Sequence, residues 1–134
     1  MNRKNALLWS IGLIITSSLN YAAANLLIII WNLELHYYLL MVFILSVMIG
    51  ILALDISKSI IIAYASMIGG LLIASTIFLQ PYVIFAADVV RFNFAATVLF
   101  SFLAKIFLIS AVLYFLGAVL GCVLGRRIAR VFSP

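Results

Sequence analysis

One stretch of twenty residues, 106–125, sets the strongest limit on how this chain folds. The stretch contains no charged side chain, and Arg126 and Arg127 follow it directly. Twenty residues of α-helix rise about 30 Å, which is the thickness of the hydrocarbon core of a bilayer. We therefore expect this stretch to be a membrane-spanning helix.

The composition of the whole chain points the same way. Its 134 residues are 69% hydrophobic and 8% charged, with a mean hydropathy of +1.40, whereas soluble domains carry about 25% charged residues. The net charge of +5 would suggest nucleic-acid binding in a soluble domain. Here the basic residues stand at the ends of apolar segments, where membrane topology explains them. We expect a lipid bilayer as the surrounding medium and no nucleic-acid partner.

The apolar runs predict an all-α fold, an integral membrane four-helix bundle that forms a single domain over residues 1–134. The predicted helices cover residues 6–31, 37–54, 60–79 and 95–125. The first helix is too long and evenly apolar for a cleavable signal peptide. Because the connection after it is short, we expect the first two helices to be antiparallel neighbours.

Residues 82–104 allow two interpretations. Gln80 and Pro81 are predicted to end the third helix, since proline lacks a backbone donor and restricts the residue before it. Three polar residues interrupt the apolar segment that follows: Asp88, Arg91 and Asn93. One interpretation is a short interfacial or outward-projecting helix around residues 85–91, and the other is a re-entrant segment. The first is favoured, because re-entrant backbone needs more protein cover than a small chain supplies.

The basic residues predict the orientation. An even number of helices puts both termini on one side, together with the connection at residues 55–59. That side holds six of the eight lysines and arginines, namely Arg3, Lys4, Lys58, Arg126, Arg127 and Arg130. The positive-inside rule then predicts that both termini are cytoplasmic and that the protein lies in the cell membrane.

Two helices carry small residues at every fourth position. The fourth helix has Gly117, Gly121 and Gly125, and the third has Ser66, Gly70 and Ala74. Such seams let helix backbones approach closely. We expect one seam to pack inside the bundle and the other to face a helix of a partner protein.

Lys105 is the only charged residue that falls inside a predicted helix. A charge within the membrane suggests an ion-binding or substrate-binding role, because it is costly to keep there. At the membrane surface, however, its long stem can reach water, or it can pair with Asp88 or Glu34. Asp88 and Arg91 stand three residues apart, a spacing typical of a surface pair on a helix.

Polar residues within the helices suggest two roles. Asn20 and Asn25 lie in the first helix, where they can hydrogen-bond to other helices. A narrow polar path through an oligomer would be lined by Ser18, Asn20, Asn25, Thr76 and Tyr114. The sequence leaves both roles open.

The few side chains that could act in catalysis or bind a metal predict no enzyme, no cofactor and no metal site. The chain has one histidine, one cysteine and three acidic residues. Glu34 and His36 could contribute metal ligands, but a closed site needs three or four. The glycines lie in an apolar helix rather than in a phosphate-binding loop.

The function predicted from the sequence is that of an accessory or structural subunit of a larger membrane complex, because nearly all of the chain lies within the bilayer. Its partners would be other membrane subunits. The alternative is a homo-oligomeric small transporter or ion channel.

Overall fold

A computed structural model of the chain describes residues 3–32, 34–85 and 89–132. Within these ranges the regular structure is all helical. The helices are α1 Arg3–Ile30, α2 Leu35–Ala53, α3 Ile56–Phe85 and α4 Val89–Phe132. Each of these four described helices is long and apolar enough to cross a membrane. The chain therefore has the build of a small multi-pass membrane protein.

The third helix is longer than the sequence predicts, which corrects the expectation that Gln80 and Pro81 end it. Pro81 lies inside α3, and the helix continues to Phe85. Proline removes one hydrogen bond, to the carbonyl four residues earlier. Because Pro81 stands near the end of α3 and is exposed, this loss is confined to one bond at the surface of the helix.

The fourth helix also begins earlier than predicted, at Val89 rather than at residue 95. Residues 82–85 belong to α3 and residues 89–104 to α4, so no separate interfacial helix is seen among the described residues, and residues 86–88 lie outside them. Residue Asp88 lies outside the described ranges. The result is a continuous α4 of 44 residues.

The helices pack as two parallel pairs. The most extensive contacts join α2 to α4 and α1 to α3, and in each pair the helices run in the same direction because one crossing lies between them. Contacts of α3 with α4 and of α1 with α2 close the bundle, whereas α1 and α4 lie across it from each other. The core is formed where these four contacts meet.

The start of α1, the α2–α3 connection and the end of α4 lie at one end of the bundle, which we call the basic end. There Leu54 caps α2 with a left-handed φ of 55°, and its amide donates to the Gly50 carbonyl at 3.2 Å. The Leu54 carbonyl accepts a hydrogen bond from Arg126 Nε at 2.9 Å. The opposite end, with the α1–α2 and α3–α4 connections, is called the far end.

Candidate functional site

The contact between α2 and α4 depends on glycine. The seam of α4 consists of Gly117, Gly121 and Gly125. The α2 residues opposite are Ser46, Val47 and Ile51. A β-carbon on Gly121 would lie 2.9 Å from Val47 Cα, and one on Gly50 of α2 would lie 2.8 Å from Gly121 Cα. Both distances are shorter than a carbon–carbon contact of about 3.5–4.0 Å, so the two backbones touch directly.

The small residues of α3 pack against α1 in the same manner. A β-carbon on Gly70 would lie 2.8 Å from the Ser18 carbonyl oxygen and 3.0 Å from the Ala22 amide nitrogen. Ser66 and Ala74, one turn to either side, are fully buried. Both seams are thus occupied within the chain, which corrects the expectation that one of them faces a partner helix. The reason is that α1 and α2 each present a small-residue face of their own.

Five polar side chains meet inside the bundle, near the far end. They are Tyr21 and Asn25 of α1, Tyr38 of α2, and Ser110 and Tyr114 of α4, and we call them the tyrosine cluster. All five are fully buried. Two residues four apart on α1, and two four apart on α4, place their side chains on the same helical face. The cluster therefore draws on three of the described helices.

The hydroxyl groups of this cluster form a directed chain of hydrogen bonds. Ser110 Oγ donates to the Ile106 carbonyl at 2.5 Å, so its only proton is used and the Tyr21 hydroxyl must donate to Ser110 Oγ at 3.0 Å. The Tyr38 hydroxyl lies 3.2 Å from the Tyr21 oxygen and 3.1 Å from Asn25 Oδ1, and it shares one proton between them. Asn25 Nδ2 donates to the Tyr21 carbonyl at 2.9 Å.

This chain of hydroxyls ends on a main-chain carbonyl, which has no proton to pass on. The cluster therefore joins α1, α2 and α4 through side-chain hydrogen bonds. Tyr114 adds a ring contact, with its ring edge-on to that of Tyr21 at a centroid distance of 5.3 Å. The Tyr114 hydroxyl is buried without a hydrogen-bond partner among the described residues.

The residues that the sequence suggests for a polar path through an oligomer lie in different environments within the single chain, and the path itself stays a prediction. Ser18, Asn25 and Tyr114 are buried between helices, whereas Asn20 and Thr76 are exposed. Each of the two exposed side chains donates to the carbonyl four residues earlier in its own helix, at 3.1 Å and 2.8 Å. Asn25 and Tyr114 thus belong to the tyrosine cluster, Ser18 lies in the α1–α3 contact, and Asn20 and Thr76 face outward.

The charged candidates lie at the surface. Lys105 is exposed on α4, so the expectation that it reaches water at the membrane surface stays a prediction. Glu34, one of its two suggested partners, lies 3.2 Å from His36 Nδ1. The other partner, Asp88, falls outside the described ranges, and so does its suggested pair with Arg91.

The potential metal-binding side chains of the described residues do not lie close together. In the part of the chain that the structure describes, no three histidine, cysteine or acidic residues come close enough to hold a metal ion. Glu34 and His36 are both exposed, and Cys122 is buried in the α2–α4 contact. No cofactor or metal is assigned to these residues.

A groove of about 810 Å³ opens at the far end between the end of α1, α3 and the first half of α4. Its walls are apolar, with Ile28 from α1, Phe78 from α3, and Phe94 and Phe102 from α4. The polar lining residues in the described ranges are Asn32 and Arg91. Asn32 has a left-handed φ of 50°, which asparagine tolerates well. We call this cavity the far-end groove.

Sequence reasoning identifies only part of these features. Asn25 and Tyr114 are among its candidates, but Tyr21, Tyr38 and Ser110 are not. The one available signal is the four-residue spacing of Tyr21 and Asn25, which puts a tyrosine and an amide on the same face of an apolar helix. Nothing in the sequence pairs that face with a particular turn of α2 or α4.

Comparison of the chain with protein-family models, with curated proteins and with solved structures gives no match. The function must therefore be inferred from the chain's own residues and packing.

Proposed function

We propose that this protein is an accessory or structural subunit of a larger membrane complex in the cell membrane, with its basic end in the cytoplasm. The observation that carries the proposal is the length of α4. Its 44 residues rise about 66 Å, more than twice the roughly 30 Å hydrocarbon core. The 19 residues of α2 rise only about 28 Å and match one crossing.

The register of the parallel α2–α4 pair indicates which part of α4 extends beyond that crossing. Counting back along both helices from the contact between Val47 and Gly121 places Leu35, the first residue of α2, level with Ile109. Residues 89–108 of α4 then extend roughly 30 Å past the far end of α2. The last turns of α3 accompany the outer part of this extension, because α3 ends at Phe85, only four residues before Val89.

Four large apolar side chains on this extension are exposed. They are Val83 and Ile84 of α3 and Val89 and Phe100 of α4, which we call the projecting face. Their exposed fractions are 65%, 63%, 72% and 57%. Val89 and Phe100 stand about three helical turns apart and so share one side of α4, with the exposed Asn93 between them. Large apolar side chains that neither the bundle nor lipid covers mark contact with another protein.

The two small-residue seams strengthen this choice of surface. Both are occupied inside the bundle, so a partner has no glycine seam to use within the membrane-spanning part. The partner contact is therefore assigned to the projecting face. In this role the chain contributes packing area and position, and it catalyses no reaction of its own.

The test is purification of the full chain in a mild detergent, followed by mass spectrometry of co-purifying proteins. We expect larger, unrelated membrane proteins in stoichiometric amounts. The double variant V83Q/I84Q should lose them, because two glutamine side chains add polar groups to the apolar contact. The control is V131Q, since Val131 is 78% exposed at the basic end and lies outside the projecting face.

Two results would overturn the proposal. One is co-purification that V83Q/I84Q leaves intact. The other is a preparation that contains only this chain as a homo-oligomer and moves a solute when reconstituted alone, which is the result expected of a transporter or channel.

A further inference from the structure

The far-end groove is apolar along most of its length and basic at one end. On α4 it is lined by Arg91, Phe94, Val98 and Phe102, which follow one another at steps of three or four residues and so share one helical face. This face is separate from the projecting face, because no residue of the projecting face lines the groove.

The groove has the dimensions of a lipid chain. From Arg91 to Phe102, α4 rises about 16 Å, close to half of the roughly 30 Å hydrocarbon core and so to the depth of one leaflet. The volume of about 810 Å³ falls within the range of roughly 300–1,000 Å³ that is typical of small-molecule sites.

The position of the groove favours an occupant that comes from the membrane. Phe102 lies about two turns beyond Ile109, the α4 residue that is level with the start of α2. The apolar end of the groove is therefore near the membrane surface, and Arg91 is farther from the bilayer. A phospholipid of that leaflet already has its head group outward, so it would enter the groove head first, with its head towards Arg91 and its chain towards Phe102.

A second groove shows what Arg91 adds. It measures about 470 Å³ and lies between α3 and α4, where Leu72, Phe100 and Leu108 line it with other apolar residues and Ser75. That groove has no charged lining residue in the described ranges and so offers no site for an anionic head group. The far-end groove differs by a guanidinium group at one end, which selects for an anion.

We propose that the far-end groove binds a phospholipid, with its anionic phosphate head at Arg91 and one hydrocarbon chain along Phe94, Val98 and Phe102. Among the described residues that line the groove, Arg91 is the charged one, and its guanidinium group is complementary to a phosphate. Arg91 also interacts with the rest of the protein, and its five N–H donors serve a phosphate as well. Asn32 supplies an amide at the same polar rim.

The experiment uses the full chain in detergent with a phosphatidylglycerol that carries a photoactivatable group in its chain. Mass spectrometry of the crosslinked peptides should place the label within residues 94–102. Unlabelled phosphatidylglycerol should compete, whereas diacylglycerol, which lacks the phosphate, and inorganic phosphate, which lacks the chain, should compete poorly.

Two variants test the two halves of the site. Arg91→Gln should lower labelling of residues 94–102 roughly fivefold, the effect of one basic side chain near an anionic lipid, and Arg127→Gln at the basic end should leave it unchanged. Val98→Trp should abolish labelling by filling the groove. Arg91 and Val98 are both exposed, so a thermal unfolding curve should show that both variants remain folded.

Labelling that R91Q does not change, or equal competition by diacylglycerol, would refute the role of the phosphate. Effective competition by inorganic phosphate would indicate a free anion as the ligand. Loss of a co-purifying protein in V98W, without any lipid label in the wild type, would assign the groove to a protein helix. Because V83Q/I84Q tests the partner contact on another face, either proposal can fail while the other holds.

Discussion

Tyr21 on α1 donates a hydrogen bond to Ser110 on α4 at 3.0 Å, although these two helices lie across the bundle from each other. The bond is buried and is continued by the Tyr38 hydroxyl of α2. It fixes the rotation of three helices about their axes, because a tyrosine hydroxyl reaches its partner only in one orientation of its helix face.

Tyr21→Phe should lower the free energy of unfolding by about 0.5–1.5 kcal/mol, the usual value of an interhelical hydrogen bond in a membrane protein. The physical cause is the loss of the donor to Ser110 and of an acceptor for Tyr38. Unfolding by SDS in mixed micelles measures the change.

Tyr114→Phe is the matched control within the same cluster. Its hydroxyl has no hydrogen-bond partner among the described residues, so removing it should leave stability unchanged or raise it. Equal destabilisation by the two substitutions would contradict the hydrogen-bond pattern described here.

Gly121→Ala should destabilise the bundle by about 1–3 kcal/mol, the usual cost of overpacking. Its β-carbon would lie 2.9 Å from Val47 Cα, where backbone cannot yield easily. Gly12→Ala is the control, because a β-carbon there meets nothing within 4 Å, and it should stabilise α1 by about 0.5–1 kcal/mol. Thermal unfolding in detergent measures the stability of both variants. Unchanged stability of G121A would show that the α2–α4 contact is looser than these distances indicate.

Arg126→Gln should lower stability by about 0.5–1.5 kcal/mol, because the Leu54 carbonyl loses its donor at the end of α2. Arg127→Gln removes the same charge from the same end, and no hydrogen bond of Arg127 is seen in the described structure, so it should change stability less. Hydrogen exchange of the α2–α3 connection reports the local effect. Equal exchange rates in the two variants would show that the hydrogen bond between Arg126 and the Leu54 carbonyl has no measurable effect.

The orientation can be tested by thiol labelling, because the native Cys122 is buried and gives little background. His36→Cys at the far end should react with a membrane-impermeant maleimide on intact cells. Val131→Cys at the basic end should react only after the membrane is permeabilised. The reverse pattern would invert the proposed orientation, and labelling of both from outside would rule out an even number of crossings.

Some features follow from the residues alone, and others do not. The four apolar helices are confirmed by the structure, which has four described helices long and apolar enough to cross a membrane. The end of α3 is not predicted correctly, because proline near a helix end costs one hydrogen bond and does not compel a break. The sequence does not identify Gly50 as a residue of the α2–α4 contact, because a single glycine in α2 is not part of a small-residue repeat.

By itself, the sequence determined that this chain forms apolar helices of membrane-crossing length and where its small residues allow close approach. Those properties depend on local composition and on the 3.6-residue helical repeat, which can be read along the chain. Only the tertiary structure decided that both seams are used internally, that Tyr21 meets Tyr38 and Ser110, and that α4 projects beyond α2. These relations depend on the rotation and register of one helix against another, which arise from contacts between residues far apart in sequence.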